Sequence, residues 1–275
     1  GRIASHLAAV LGPALSGGVV VTDDPAAAGP IEVVEGAHPV PNTANRDGAR
    51  RLLETARAAD SDTLAVVAVT GGGSALLAAP AEGVPLADLR ELTDALVRSG
   101  APIDRINAVR KHVSAVKGGR LARELAPATT VGVVFSDVTS DDPSVVASGP
   151  LSPDPTSYDD ALTVLSAYGV DAPGSVTGHL QRGAAGEVGE TPGPDDSAFD
   201  DVSIHILADN ATAIAAAREV CAAAGFEPLV LSSSIRGESQ AAAVTHVAVA
   251  EEVQRRGDPV EPPAAERFCD GAPYI

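Results

Sequence analysis

Short valine-rich runs alternate with longer stretches of helical spacing along most of the chain, and this alternation constrains the fold more than any other feature. Gly18 to Val21, Ile31 to Val34, Leu64 to Val69, Val131 to Phe135, Ile204 to Leu207 and Leu229 to Leu231 read as strands. Asn45 to Ala59, Leu86 to Ser99, Ile103 to Leu125, Ala211 to Ala224 and Ser239 to Arg256 read as helices bounded by Gly, Pro, Asp or Ser. Such an order predicts an α/β fold, an open and mostly parallel sheet with helices on both faces. The interior must be built from Ala, Val, Leu and Ile, because 45% of residues are hydrophobic, only 3% are aromatic, and Met and Trp are absent. Small branched side chains suit parallel strands covered by helices.

The 37 acidic and 19 basic residues give a formal net charge of −18, which repels nucleic-acid phosphates and anionic membranes. Nucleic acid and membrane are therefore excluded as partners. Only Lys111 and Lys117 of the basic residues are lysines, and the acids are spread along the whole chain. GC-rich coding would also favour Ala, Gly, Arg and Pro but does not create this acid excess, so the balance points to a salt-adapted, haloarchaeal type of surface. Cys221 and Cys269 form neither a disulfide framework nor a zinc pattern, and Cys221, in an alanine-rich run, reads as a small buried side chain. No apolar run reaches the ~18 residues of a membrane span, and residues 1 to 10 lack a signal-peptide layout, which predicts a cytoplasmic location. The Gly-, Pro- and acid-rich segment Ala184 to Asp201 reads as a mobile surface loop or linker.

Three constellations carry chemistry. The strand at Leu64 to Val69 runs into Thr70, Gly71, Gly72, Gly73 and Ser74 before a helix begins. Glycines there let backbone amides approach an anion, although the P-loop pattern G-x-x-x-x-G-K-[ST] is absent and a bare structural turn explains the segment equally well. The run from Asn107 to Arg120 holds both lysines. On a continuous helix, Asn107, Arg110, Lys111 and Ser114 would share a face with Lys117 at its border. A solvated basic face is the plainer reading, but a surface that otherwise shuns lysine favours anion binding. After the strand at Val131 to Phe135, Asp137, Asp141 and Asp142 stand where ligands of open α/β sheets bind. Each could hold Mg²⁺, take a hydroxyl proton, or simply shape a turn. Asn210 reads as a helix N-cap, and His38, in Gly36-Ala-His-Pro-Val-Pro-Asn42, reads as closing a turn. No histidine set has metal-ligand spacing.

Taken together, TGGGSALLAAP, INAVRKHVSAVKGGRLA, SDVTSDDPSVVASGPLSPDPTSYDDAL and GAHPVPN resemble the glycerate 2-kinase family that carries a C-terminal MOFRL domain. The resemblance runs from Gly1 to about Pro263 and implies a Rossmann-like large lobe. It implies ATP-dependent phosphorylation of D-glycerate to 2-phosphoglycerate with Mg²⁺, in an enzyme compatible with a homodimer. Matching positions assigns Gly71, Gly72, Gly73, Ser74, Asn107 and Arg110 to phosphate and glycerate. They make Lys111, Lys117 and Asp137 the catalytic candidates and Asp142 the Mg²⁺ candidate.

The family pattern also has a Gly-Lys segment upstream of Gly1 and a MOFRL domain after a proline-rich link such as Pro259 to Pro263. Residues 264–275 match neither. The expectation is thus a large domain over residues 1–263, truncated at its start, with a non-family tail and impaired turnover. A hydroxypyruvate or tartronate reductase is the other enzymatic reading, weakened because no G-x-G-x-x-G follows a strand. A non-catalytic remnant of the kinase is the third.

Overall fold

The computed structural model describes residues 1–235 and 237–256. It is an α/β structure in which every strand pairing is parallel. Strands β1 (Gly18–Thr22) and β2 (Ile31–Glu35) form a two-stranded sheet after helix α1 (Arg2–Leu11). Strands β3 (Leu64–Thr70), β4 (Thr129–Phe135) and β5 (Val202–Ala208) form a second sheet in the order β3-β4-β5. The single open sheet expected from the alternation is therefore divided in two among the described residues.

Helix α2 (Thr43–Arg57) starts from a capping box between Asn42 and Asn45 and packs on β1 and on α6 (Arg120–Leu125). The one-turn helix α3 (Gly73–Leu76) follows β3 directly. Helices α4 (Leu86–Arg98), α5 (Ile103–His112), α7 (Tyr158–Ala167) and α8 (Gly174–Ala184) enclose a cluster built on Leu92, Leu96, Val109, Val113, Tyr158, Val176 and Leu180. A second cluster joins Ala49 and Leu53 of α2 to Leu121 and Leu125 of α6. Helices α9 (Asn210–Ala223) and α10 (Ser239–Arg256) bury none of their residues.

Several expectations change. The helix expected over Ile103 to Leu125 is two helices: the first ends at His112, where Val113 leaves helical geometry, and the second starts only after Gly118 and Gly119, which adopt φ of +58° and +76°. Only glycine enters that region without strain, and an α-helix cannot pass through it. Ser114 instead bridges to Pro80 in an isolated antiparallel pair. Leu229 to Leu231 is not a strand; its side chains are exposed and no ladder forms there. Cys221 is exposed, since α9 has no covered face, and Cys269 lies outside the described residues. The N-cap of α9 is Asp209, which accepts from the Thr212 N–H at 2.7 Å, and Asn210 is the first helical residue.

Residues 184–201 also dock on the helices instead of forming a free linker. Glu190 Oε1 lies 2.8 Å from His112 Nε2, Arg123 Nη2 donates to Asp196 at 2.6 Å, and Phe199 packs against the second cluster. The polar composition favours a mobile loop or linker, but specific polar pairs and one aromatic anchor outweigh it.

Candidate active site

The register of the larger sheet brings three chain segments to one edge. Thr70 pairs with Phe135, and Phe135 pairs with Ala208 after a register shift past Leu207. Gly71, Ser136-Asp137 and Asp209 therefore emerge side by side at the carboxyl ends, where open parallel sheets bind ligands. Asp137 is exposed and its carboxylate lies so close to Gly71 that a Cβ there would overlap it. Gly72 has φ of +75°, and a Cβ on it would stand 3.1 Å from His38 Nε2. The N–H groups at the start of the α3 turn have no intrahelical acceptor and remain available to a ligand.

His38 reaches this turn because Asn45, fully buried, ties two segments together. Its Oδ1 accepts from the N–H groups of Ala37 and Asn42, while Nδ2 donates to the carbonyls of Ala37, Ala75 and Leu76. The sequence marked His38 as turn closure and passed over Asn45 as an ordinary helix position. Its only advance signal was an Asn-x-x-Asn spacing ahead of a helix.

Ser74 Oγ lies 2.9 Å from Ser148 Oγ, which donates to Asn107 Oδ1 at 2.9 Å. This chain joins α3, α5 and the loop after β4. Ala147 and Ser148 hold φ of +51° and +62°, a left-handed conformation costing about 1–3 kcal/mol for each. Two backbone bonds offset it, Gly118 N–H to the Ser148 carbonyl at 3.0 Å and Gly119 N–H to the Gly149 carbonyl at 2.8 Å. Ala147 in turn presses on Gly73, where a Cβ would come 2.7 Å from its own.

The two lysines part company at the helix break. Lys117 Nζ donates to the Leu77 carbonyl, at the end of the α3 turn, at 3.1 Å. Burial lowers its pKa to about 7, with the positive charge of Arg110 adding to the effect. Arg110 is itself partly buried, and desolvation lowers it from its ordinary value. Lys111 turns inward and forms a buried ion pair with Asp154 Oδ1 at 3.3 Å. The shared cationic face expected of Asn107, Arg110, Lys111, Ser114 and Lys117 therefore does not exist as a face. Lys117 and Asn107 reach the α3 turn, the first through the Leu77 carbonyl and the second through Ser148 and Ser74, with Arg110 near enough to Lys117 to perturb it, while Lys111 pairs with Asp154 in the interior.

Asp142 is exposed, and its Oδ1 accepts from the Ser144 N–H at 2.8 Å, while Asp141 accepts from Ser136 Oγ. Among the described residues no three His, Cys, Asp or Glu side chains cluster as a protein-only metal cage would require. Magnesium carried by a nucleotide needs less, one or two carboxylates beside the phosphates. The second Asp142 oxygen, which has no hydrogen-bond partner among the described residues, or the Asp137 carboxylate beside Gly71, fits that demand.

Comparison with known proteins gives this geometry a context. A domain family described as a domain of unknown function, DUF4147, matches residues 1–181. A glycerate 2-kinase of Pyrococcus horikoshii is 37% identical over 240 residues, which cover 86% of this chain and 54% of that protein. The crystal structure of a Thermotoga maritima glycerate kinase superposes with a TM-score of 0.78 at 34% identity, covering 96% of this chain and 62% of that one. The chain belongs to the glycerate kinase family. An Agrobacterium vitis relative, 38% identical over 90% of this chain and 55% of its own length, is named as a candidate hydroxypyruvate reductase. The chain thus spans little more than half the length of the curated family members it matches. No helix among the described residues is long and apolar enough to cross a membrane.

Proposed function

We propose that this chain is the nucleotide- and acid-binding lobe of a glycerate 2-kinase, transferring the γ-phosphoryl group of ATP to the 2-hydroxyl of D-glycerate. The observation that carries this reading is the convergence on α3 of a glycine turn, the Asp137 carboxylate and Lys117, whose nearest charge is the cation Arg110 and which has no ion-pair partner among the described residues. Phosphoryl transfer asks a protein for positioning and for neutralisation of charge on the transferred group. Free amides of the Gly71–Ser74 turn bind phosphate oxygens, as glycines that admit close backbone approach allow. Arg110 and Lys117 face the anionic groups, one phosphate and one glycerate carboxylate. Asp137 accepts the hydroxyl proton, and Asp142 with the nucleotide phosphates would hold Mg²⁺. When bound, Mg²⁺ would neutralise charge on the phosphates. His38, at Gly72, closes the side of the turn. Lys111 acts as a positioning residue through Asp154 and does not touch the reacting atoms.

The test is a coupled assay of the full-length protein with ATP and D-glycerate, with the product identified by phosphorus NMR. Formation of 2-phosphoglycerate, lost in Lys117→Met, is the expected result. Absence of ATP consumption, with NADH oxidised on addition of hydroxypyruvate, would establish the reductase reading instead.

A further inference from the structure

His112, the last residue of α5, is fully buried and takes no part in the α3 crevice. Both of its ring nitrogens face oxygen: Nδ1 lies 2.7 Å from the Ala108 carbonyl and Nε2 lies 2.8 Å from Glu190 Oε1. A carbonyl oxygen only accepts, so Nδ1 carries hydrogen. A neutral imidazole has no second hydrogen, and its Nε2 would then turn a lone pair on an acceptor-only carboxylate. The pair as it stands therefore holds one proton more than a neutral ring and an ionised carboxylate hold together.

The surroundings put that proton on the ring. Glu190 Oε1 also accepts from the Thr191 N–H at 3.2 Å, and Oε2 accepts from the Tyr158 N–H at 3.3 Å, bonds that favour the ionised carboxylate. Asp154 Oδ2, buried and without a hydrogen-bond partner, lies 4.0 Å from His112 Nδ1 and favours the imidazolium, as does the more distant charge of the exposed Asp160 on α7. The opposing cations are engaged or exposed: Lys111 pairs with Asp154 Oδ1, Arg120 of α6 donates to the Tyr158 hydroxyl at 3.0 Å, and Arg182 of α8 is exposed. Two neutral groups complete the shell. The Tyr158 ring stands edge-on to the imidazole at 4.7 Å, and burial keeps its hydroxyl protonated. His179 donates from Nε2 to the His112 carbonyl at 3.0 Å, and burial keeps its own ring uncharged.

The other fastenings of this segment are neutral or lie at the surface. The Pro192 carbonyl accepts from the Asp154 N–H at 2.9 Å and the Gly189 carbonyl from the Tyr158 hydroxyl at 3.3 Å. Arg123, half exposed, donates to the Glu190 carbonyl and to Asp196. Exposed pairs contribute little, whereas a charged hydrogen bond is roughly twice as strong as a neutral one. The Glu190 side chain is 46% exposed while the imidazole is sealed, so the proton reaches solvent from the carboxylate side.

We propose that residues 187–196 form a proton-gated strap over the end of α5, closed while His112 and Glu190 share a proton and opened as rising pH removes it. Opening bares His112 and Tyr158 and frees the backbone of Asp154 beside Lys111. A free imidazole is neutral above pH ~6.5. The open strap then binds one proton fewer than the closed one, so opening gains up to about tenfold per pH unit until the closed pair itself gives up its proton.

The experiment is amide hydrogen exchange of the full chain from about pH 6.5 to about pH 9, each rate divided by that of an unstructured peptide at the same pH. The reporters are the N–H groups of Asp154 and Tyr158, whose acceptors lie on the strap. Their protection should fall by about tenfold or more across the range. Glu190→Gln keeps the strap without the extra proton, because its side-chain amide donates to Nε2 of a neutral ring, and its protection should be flat with pH. Glu190→Ala should leave both amides weakly protected throughout. Lys117 loses its proton in the same range but is untouched in Glu190→Gln, so a slope that it caused would persist there. Such a persisting slope would overturn the proposal, and so would a flat profile in the unsubstituted protein.

Discussion

Lys111 and Lys117 are six residues apart, equally buried, and electrostatically opposite. The region around Lys111 is closed: its ammonium faces Asp154, whose Oδ1 also accepts from the N–H and hydroxyl of Thr156. The region around Lys117 is open in charge terms: a neutral carbonyl is its hydrogen-bond partner, and the charge that most perturbs it is another cation, Arg110. A buried pair is neutral overall and holds structure together. A buried cation beside a second, partly buried one and without a carboxylate is a standing cost to stability that an anion relieves. Burial and charge, taken alone, do not tell a ligand-binding lysine from a structural one; its counterion does.

The sharpest way to break the comparison is to remove each amine in turn. Lys117→Met should lower turnover of the full-length enzyme by about 10³-fold, the scale of losing a cation from a phosphoryl-transfer site, and leave its urea unfolding midpoint unchanged or higher. Lys111→Met should do the reverse in kind, costing about 3–5 kcal/mol of stability by stranding the buried Asp154 carboxylate. Denaturant unfolding measures this, and the double variant with Asp154→Asn should recover part of the loss. A Lys117→Met protein that unfolds far more easily would make both lysines structural.

Titration sharpens the contrast further. Lys117 has a pKa of about 7 in the fold, against ~10.4 in an unfolded chain. Between these values the unfolded chain binds more protons, so this residue makes unfolding free energy rise with pH across that window. Anion binding requires the protonated amine and must weaken above pH ~7, by up to about tenfold per unit. ATP affinity measured across that range should show the decline, and Lys117→Arg, charged throughout, should flatten it. The smallest effect belongs to the exposed pair of Arg57 Nε and Glu124, shorter than the Lys111 pair at 2.6 Å. Glu124→Gln should cost less than about 1 kcal/mol by thermal unfolding, because water already screens the pair.

Much of this was legible in the sequence. Five of the six valine-rich runs are strands within a residue or two of the expected limits, since apolar runs bounded by turn residues leave little choice. The Gly71–Ser74 turn and Asp137 fall at strand ends as expected. The helical face of residues 107–117 failed because periodicity assumes an unbroken helix, and this one stops at His112, where Val113 leaves helical geometry although the apolar pattern runs on through Val116. Asp154 was missed because its lysine partner is 43 residues away, and the bonds of Asn45 to the Ala75 and Leu76 carbonyls are long-range too; its local capping spacing says nothing of them. The sixth run, Leu229 to Leu231, shows that a strand also requires a neighbour to pair with.

The carbonyl of Leu77 has a kinetic consequence. It occupies the Lys117 amine at 3.1 Å, so an arriving anion does not meet an empty donor; it displaces a resident acceptor. A full negative charge wins that exchange, since charge-assisted hydrogen bonds are roughly twice as strong as neutral ones. The gain is the difference between the two acceptors and not the whole bond, which limits how tightly any anion is retained. On departure the amine swings back to a partner within reach and never stands bare in a buried place. Residence time, more than attraction, is what this carbonyl sets.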